Sequence, residues 1–443
     1  MPHPRELAVM STLTVTGGRV LRPDGRVERA DVLVDTDAGE ILAVGPDIAA
    51  GDETLDAEGA LVTPGFVNAH THVAMTLLRG LADDKPLQAW LEEDVWPVEA
   101  ELTAEDVRAG AELGVVEMIK HGTTAFADMY FEVPEIADAV DRAGLKALLG
   151  YTAITVGKDG GESEAEIERT AETARELDGA ADGRIRTAVQ PHSLTTVGEE
   201  YLRTVADLAG DVGRPLHFHA NENRAEVDPV VDRTGEAPLV WADDLGLLGD
   251  GTILAHCTHL DDDEIDLLAD RDVTVAHNPA ANAKLASGIA PVQRLLDEGV
   301  RVALGTDGPA SNNRLDVVTA MRDAALVGKL AGDGDAAAVS AEAAVEMATA
   351  AGADALGFDA GRIEAGRAAD LAVVDVSEPH LTPDHDLVSH LAYAATGGDV
   401  RHTVCDGQVL LRDGTVRTLD EAAVRERATD AARSLVARAD GES

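Results

Sequence analysis

The hydrophobic and polar positions of this 443-residue chain follow two different patterns. In residues 11–63, and again near the C-terminus, short alternating apolar runs are separated by turn residues, which is typical of β-strands. Asp24-Gly25, between RVLRP and RVERA, predicts a hairpin turn. Because these β-rich pieces come from both ends of the chain, we predict that residues 1–63 and 361–418 together form one small β-sandwich domain.

The middle of the chain, residues 64–360, alternates short apolar runs with longer amphipathic stretches. The eight candidate strands are FVNAHTH, TTAFADM, KALLGYTAI, RIRTAVQPH, PLHFHANE, TILAHC, VTVAHNP and RVALGTDG. Eight strand–helix units predict an α/β fold, a (β/α)8 TIM barrel. Residues 419–443 predict a C-terminal helix that packs on the body of the protein.

The charge balance of the chain is strongly acidic. Acidic residues number 82 against 36 basic ones, which gives a formal net charge of −46. This charge would repel nucleic acid and anionic lipid, so we expect neither as a partner. With only six lysines and 3% aromatic residues, the composition predicts a halophilic protein, whose self-repulsion is screened in molar salt. An acidic surface on a mesophilic protein is the alternative.

Cysteine usage and hydropathy bear on where the protein works. The two cysteines, Cys257 and Cys405, are far apart in sequence and predict buried apolar residues instead of a disulfide framework. The N-terminus MPHPRELAVM lacks the pattern of a signal peptide, and no apolar run reaches 18 residues. We therefore expect a cytoplasmic protein.

Polar side chains lie at the carboxyl ends of five predicted barrel strands, where the reactive groups of such barrels lie. They are His70 and His72; His217, His219 and Glu222; His256; His277; and Asp307. Taken singly, a buried histidine is more often a hydrogen-bonded core residue, and the aspartate of a TDG sequence more often forms a turn. Their coincidence on one rim favours a metal site.

Five longer motifs contain most of these residues: PGFVNAHTH, HANE, LAHCTHL, VAHNPAANAKLASGIAPV and LGTDGPASNN. They resemble the amidohydrolase superfamily of metal-dependent hydrolases and, within it, the deaminases of 5'-methylthioadenosine and S-adenosylhomocysteine. The resemblance covers nearly the whole chain, including the divided β-domain. It implies a hydrolase of C–N bonds in cyclic amidines, which converts the 6-amino group of an adenosine-type nucleoside to the 6-oxo group and releases ammonia.

Carried over onto this sequence, the resemblance makes His70, His72, His219 and Asp307 the metal ligands. Three imidazoles and a carboxylate suit Zn²⁺, or alternatively Fe²⁺. The fourth strand, RIRTAVQPH, offers neither the lysine nor the carboxylate of two-metal relatives, so we expect one ion per subunit. His217 lies two residues before His219, so it is on the same face of the strand but deeper in the barrel, and we expect it in the interior.

The resemblance also implies catalytic roles. Deamination needs a water that is nucleophilic at neutral pH, and a bound metal ion lowers the pKa of water from about 15.7 to about 7. Asp307 would take a proton from that water, and His256 would orient it. Glu222 would contact the substrate and protonate the ring nitrogen beside the attacked carbon.

The segment of residues 84–102 resembles the part of the family that covers the active-site mouth. It contains Trp90 and Trp96, and Glu99 matches the position whose carboxylate binds the ribose hydroxyls. The alternative is an ordinary helix with buried tryptophans and a surface glutamate.

Two further substrate contacts follow from the resemblance. His192 matches a substrate-side histidine, and Ser311 is expected near the purine. After PHS the chain reads LTTV, whereas the family more often has a proline and an aromatic residue. This departure at Leu194-Thr195 leaves the 5' substituent open among methylthio, homocysteinyl, hydroxyl and deoxy forms.

Other functions stay open on the sequence. Another deaminase or hydrolase of the superfamily, acting on guanine, cytosine or a triazine, would keep the same metal site. A non-catalytic barrel protein is disfavoured by the intact ligand set. The expected partner is a small-molecule purine nucleoside, and a homo-oligomer is expected because family members commonly assemble.

Overall fold

Seven short strands form the N-terminal part of the computed structural model, which describes residues 11–331 and 334–441. The predicted hairpin at Asp24-Gly25 is confirmed, since the strands on either side of it pair antiparallel and Gly25 has a φ of +80°. The seven strands are β1 Thr12–Thr16, β2 Arg19–Leu21, β3 Val27–Arg29, β4 Asp31–Asp35, β5 Glu40–Gly45, β6 Glu53–Asp56 and β7 Ala60–Pro64.

The barrel strands follow in the middle of the chain. They are β8 Phe66–Thr71, β9 Thr123–Tyr130, β10 Lys146–Ala153, β11 Ile185–Thr187, β12 Gln190–Pro191, β13 His217–Ala220, β14 Ile253–His256, β15 Thr274–His277 and β16 Arg301–Leu304. All pair in parallel, in one sheet from β8 to β12 and another from β13 to β16. The predicted (β/α)8 fold is confirmed.

Contacts at both edges join these two sheets into the barrel. On one side, Val189 and Ser193 form parallel bridges to Leu216 and His219. On the other side, the amides of Thr306 and Asp307 donate to the carbonyl oxygen of His70, at 3.1 and 3.0 Å. The last strand therefore holds the end of the first, where the candidate ligands lie.

The fourth strand differs from its prediction as one continuous strand over 184–192. It is divided into β11 and β12, because the amide of Gln190 donates to the hydroxyl of Thr170 at 3.0 Å instead of to a neighbouring strand. Val189, between the pieces, bonds to the carbonyl of Pro215. A side chain distant in sequence causes this break.

The chain returns to the N-terminal strands through β17 Leu371–Asp375, β18 Val400–Cys405, β19 Gln408–Arg412 and β20 Thr415–Val416. One sheet has the order β5-β4-β1-β6 and the other β20-β19-β18-β17-β7-β2-β3. Buried residues of both sheets, such as Val32 and Val373, share one apolar cluster. The β-sandwich built from both chain ends is thus present, while its exact boundaries stay a prediction.

Helices surround the barrel and line its mouth. They are α1 Leu87–Trp90, α2 Trp96–Glu99, α3 Ala104–Lys120, α4 Val133–Ala143, α5 Gly160–Leu177, α6 Glu199–Val212, α7 Arg224–Thr234, α8 Pro238–Asp244, α9 Asp262–Asp270, α10 Pro279–Lys284, α11 Val292–Asp297, α12 Pro309–Asn312, α13 Val317–Ala331, α14 Ala341–Ala348, α15 Ala350–Leu356, α16 Leu387–Tyr393 and α17 Glu421–Ala439. Thr103 and Asp106 form a capping box before α3, a pattern that the local sequence indicates.

The C-terminal helix α17 packs against α3. In α17, Val424, Ala428 and Leu435 are buried. Its Arg438 guanidinium lies 2.5 Å from the Asp106 carboxylate at the start of α3. Within the described residues, no helix has the length and apolar character needed to cross a membrane.

Both cysteines are buried and neither is in a disulfide, as the sequence predicted.

Candidate metal and active site

Three imidazoles meet at the carboxyl end of the barrel. His70 lies in β8, His72 follows that strand, and His219 lies in β13. Each offers a ring nitrogen, and these atoms all lie within 4.8 Å of one another. The Nε2 atoms of His72 and His219 are 3.3 Å apart. His70 and His72 are two positions apart at the end of β8, and both direct a ring nitrogen at this point.

Hydrogen bonds at the far side of two rings set their tautomers. The Nδ1–H of His72 donates to the carbonyl oxygen of Met129 at 2.6 Å, and the Nδ1–H of His219 donates to that of His192 at 2.9 Å. Since a carbonyl only accepts, each neutral ring directs its Nε2 lone pair at the other. Two facing lone pairs repel unless a cation lies between them.

His70 supplies a buried nitrogen without a protein partner. Its Nδ1 contacts His217 Nε2 at 3.0 Å, and the ring is fully buried. Its Nε2 makes no hydrogen bond and lies 3.6 Å from Asp307 Oδ1. An unpartnered buried nitrogen is costly in a native protein, and a bound ion would satisfy it. His217 therefore lies behind His70, in the interior.

Asp307 completes the cluster from the end of β16. Its Oδ1 lies 3.2 Å from His72 Nε2, and its Oδ2 accepts a hydrogen bond from the Ser311 hydroxyl at 2.6 Å. The backbone φ of Asp307 is +60°, which is uncommon for an aspartate. The hydrogen bond from its backbone amide to the carbonyl oxygen of His70 holds this conformation. A backbone conformation of this kind persists when its surroundings determine it, and is typical of functional sites.

The electrostatics of the cluster favour a cation at its centre. Burial lowers the pKa of His70 to about 4 and that of His219 well below its usual value, so both rings are neutral, as metal ligands must be. Burial opposes charge on His72 as well, but hydrogen bonding to the Asp307 carboxylate raises its pKa to about 9. Burial opposes charge on Asp307, yet the close approach of the His70 and His72 rings to its carboxylate brings its pKa well below normal. A proton or a metal ion is thus stabilised between His72 and Asp307.

Glu222 lies beside the cluster, at the loop after β13. Its Oε1 accepts a hydrogen bond from the Ser287 hydroxyl at 3.0 Å, and its Oε2 lies 3.8 Å from His256 Nε2. The Glu226 carboxylate accepts a hydrogen bond from the backbone amide of Glu222 at 2.8 Å. The Thr258 hydroxyl donates to the backbone carbonyl oxygen of Glu222 at 2.6 Å. Burial raises the pKa of Glu222, which favours its protonated form.

His256 connects Glu222 to the ligand cluster. Its Nδ1–H donates to the amide oxygen of Asn282 at 2.8 Å, which leaves Nε2 directed towards Glu222. A ring nitrogen of His256, a ring nitrogen of His70 and a carboxylate oxygen of Asp307 lie within 4.8 Å of one another. His277, at the end of β15, is buried outside this cluster, and burial lowers its pKa to about 3.

A cavity of about 680 Å³ opens above these groups. On one side it is lined by a helical segment that runs from Leu87 to Glu99, with a π-helical turn in its middle over Leu91–Val95. Such turns are frequent at functional sites. Trp90 is buried, whereas Trp96 is 38% exposed at the mouth, unlike the buried tryptophans of the ordinary-helix alternative.

Glu99 faces the cavity and is only partly exposed, which also contradicts the alternative of a surface glutamate. Its Oε1 accepts a hydrogen bond from the Tyr130 hydroxyl at 2.6 Å. Burial raises the pKa of Glu99, while this hydrogen bond acts in the opposite direction. The other carboxylate oxygen is left for a ligand.

His192 and Ser311 also line the cavity. The His192 ring packs 4.6 Å from that of His219, centroid to centroid, and its Nδ1 contacts the Thr196 hydroxyl at 2.9 Å. At the departure Leu194-Thr195, Thr195 lines the cavity and Leu194 is buried in the apolar core.

Several residues around the site were not singled out from the sequence: Tyr130, Gln190, Glu226, Asn282 and Ser287. Tyr130 ends β9, so its position at a strand end could have identified it. Asn282 and Ser287 belong to the motif VAHNPAANAKLASGIAPV but lie after β15, where spacing does not predict their direction. Gln190 donates to Asp128 and contacts His217 Nδ1 behind the ligands.

Comparisons with known proteins agree with this geometry. The sequence profile of the amidohydrolase family matches residues 61–410. A 5-methylthioadenosine/S-adenosylhomocysteine deaminase from Haloarcula marismortui is 66% identical over 97% of this chain and 100% of that protein. A 5'-deoxyadenosine deaminase from Methanosarcina acetivorans is 44% identical, over 97% of this chain and 100% of its own. The crystal structure of an adenosine deaminase from Xanthomonas campestris with bound zinc superimposes with a TM-score of 0.90 at 36% identity, covering 96% of this chain and 99% of its own.

Proposed function

The chain belongs to the amidohydrolase family, and from that premise we propose that it is a metal-dependent hydrolytic deaminase of adenosine-type nucleosides. It replaces the 6-amino group of the purine with an oxo group and releases ammonia. The single observation that carries this proposal is the cluster of His70, His72, His219 and Asp307 beside the buried carboxyl of Glu222 in one cavity. Relatives named as deaminases of this substrate class support it.

A metal ion fits the residues present. The unpartnered Nε2 of His70, the facing Nε2 atoms of His72 and His219 and the carboxylate of Asp307 make up a donor set that suits one Zn²⁺. A bound Zn²⁺ supplies a water of lowered pKa. The side chains around the metal site carry out the proton transfers.

Asp307 takes the proton from the attacking water. Its carboxylate is ionised, and Ser311 holds Oδ2 by a 2.6 Å hydrogen bond. His256 accepts or donates at Nε2 to orient that water, because its Nδ1–H is engaged by Asn282.

Glu222 supplies a proton to the purine nitrogen next to the attacked carbon. That protonation removes the aromatic stabilisation of the ring and lets the carbon accept the oxygen. The proton that Asp307 took from the water then passes to the 6-amino group, which leaves as ammonia. The added hydroxyl group returns its proton to Glu222 as the oxo group forms. Burial favours the protonated carboxyl that this step needs, and the Ser287 hydroxyl holds Oε1 in place.

The sugar is proposed to lie between Glu99 and His192. The Glu99 carboxylate, held by Tyr130, offers its second oxygen to the ribose hydroxyls. His192 has its Nδ1 occupied by Thr196, which leaves Nε2 for the substrate, and burial lowers its pKa to about 3, so the ring is neutral. The half of the cavity at Glu222 and Ser311 then receives the purine.

Ammonia release from a panel of substrates tests this proposal. The zinc-loaded protein is incubated in 2 M KCl with 5'-methylthioadenosine, 5'-deoxyadenosine, adenosine, adenine, guanosine, cytosine and a triazine. We expect turnover of the 6-amino nucleosides and little of the others. Preferred turnover of guanosine, cytosine or the triazine would contradict the assignment, as would no turnover of any compound by protein that contains one metal ion per chain.

A further inference from the structure

We propose that the cavity selects adenosine derivatives whose 5' substituent carries no carboxylate, such as an alkylthio group, and disfavours a free amino-acid end. This inference rests on the proposed function, and it concerns the part of the cavity between Phe131 and Thr196.

Two chains of contacts lead from the metal ligands to that part of the cavity. The centroid of the Tyr130 ring lies 6.3 Å from that of His72, and the centroid of the Phe131 ring lies 5.4 Å from that of Tyr130. From His219, the His192 ring lies 4.6 Å away, and His192 Nδ1 contacts the Thr196 hydroxyl. With the purine at Glu222 and the ribose at Glu99, the 5' substituent therefore extends towards Phe131 and Thr196.

A single wall forms this end, which we call the outer wall: Phe131, Ile154, Val156, Thr195 and Thr196, all of which line the cavity. The amides of Thr155 and Val156 both donate to the carbonyl oxygen of Thr196, at 3.0 and 3.1 Å, which joins the loops after β10 and β12. Three of its five side chains are apolar and two are neutral hydroxyls. Val156 is 61% exposed at the mouth, and Trp96 across the cavity is 38% exposed. Apolar side chains kept exposed at a cavity mouth are suited to contact an apolar group of a ligand.

Basic side chains are absent from the lining of the cavity. Among the residues that the structure describes, no lysine or arginine lines it, whereas five acidic residues do: Glu92, Glu99, Glu222, Glu226 and Asp307. The basic residue that follows the outer wall in sequence, Lys158, has its ammonium 2.9 Å from Glu166 Oε1. A carboxylate on the 5' substituent would lose water at the outer wall without gaining a cation there.

The test compares four nucleosides that differ only at the 5' end, at one fixed KCl concentration. They are 5'-methylthioadenosine, 5'-butylthioadenosine, S-adenosylhomocysteine and its decarboxylated form, which ends in an aminopropylthio group. We expect kcat/KM for the butylthio and aminopropylthio compounds to lie within about threefold of the methylthio value, and that for S-adenosylhomocysteine to be at least about tenfold lower. Equal kcat/KM for S-adenosylhomocysteine and its decarboxylated form would overturn the inference while leaving the proposed deamination intact. Absence of turnover for all four would instead contradict the proposed function.

A charge placed on the outer wall provides an independent test. Val156→Arg introduces a cation at an exposed position, and Leu330→Arg makes the same charge change at a 77% exposed residue of α13 outside the cavity. We expect Val156→Arg to raise kcat/KM for S-adenosylhomocysteine relative to the butylthio compound by about threefold, the size of an exposed ion pair. Leu330→Arg should leave that ratio unchanged. An unchanged ratio in Val156→Arg, or an equal rise in both variants, would contradict the placement of the 5' substituent at this wall.

Discussion

Replacing Glu222 with glutamine removes the proposed proton donor while leaving its surroundings in place. The glutamine oxygen still accepts from the Ser287 hydroxyl, at 3.0 Å in the native protein, and the side-chain volume is almost unchanged. None of the four proposed metal ligands bonds to the Glu222 carboxylate, so the metal content should not change. Loss of a positioned general acid costs about 10²- to 10⁴-fold in rate, equivalent to about 3–5 kcal/mol of activation free energy.

The assay measures kcat for ammonia release from 5'-methylthioadenosine, together with zinc per chain by mass spectrometry. Glu236→Gln is the matched control, because it removes the same charge from an exposed glutamate close in sequence. We expect Glu222→Gln to bind one zinc ion and to lose at least about a hundredfold in kcat, with Glu236→Gln unchanged. A Glu222→Gln variant that retains zinc and works within about threefold of the wild-type rate would refute the proton-donor role.

Three further predictions follow from the site and the charge of the chain. Glu99→Gln should raise KM for nucleosides about tenfold with a smaller change in kcat, because the ribose contact is made equally in the ground and transition states; an unchanged KM would contradict the ribose contact. Burial lowers the pKa of His277 to about 3, so below pH 6.5 the unfolded chain binds a proton at this residue that the folded protein does not bind. The contribution of His277 to the free energy of unfolding therefore falls by about 1.4 kcal/mol for each pH unit below 6.5. The free energy of unfolding should therefore fall less between pH 7 and 5 in His277→Asn than in the wild type, and equal falls in urea titrations would contradict this. With a net charge of −46, the protein should have a higher Tm in 2 M than in 0.1 M KCl, because the screening length shortens from about 10 Å to about 2 Å; equal Tm values would argue against halophilic adaptation.

The sequence predicts the fold well where the residues of a single strand or helix determine the structure of that element. His70 and His72 are two positions apart at the end of β8, so the alternation of side chains along a strand directs both to one side. Thr103 and Asp106 start α3 through a local capping box. The break in the fourth strand could not be predicted in this way. It depends on a hydrogen bond between Gln190 and the Thr170 hydroxyl, which comes from a helix 20 residues earlier in the chain.

The same distinction between local patterns and tertiary contacts applies to the residues of the site. Residues at strand ends could be proposed because the barrel brings all strand ends to one rim. Residues that hold them in place, such as Ser287 on Glu222 and Asn282 on His256, lie in a loop and a short helix after β15. Their directions are set by tertiary contacts that leave no periodic signal in the sequence.

The most direct test of the account is to locate the metal itself. Anomalous diffraction at the zinc absorption edge, from crystals grown with equimolar zinc, should show one peak per chain, about 2.0–2.2 Å from the Nε2 atoms of His70, His72 and His219 and from an oxygen of Asp307. Two peaks in the cavity, a peak coordinated by other residues, or no peak among these four side chains would contradict the account.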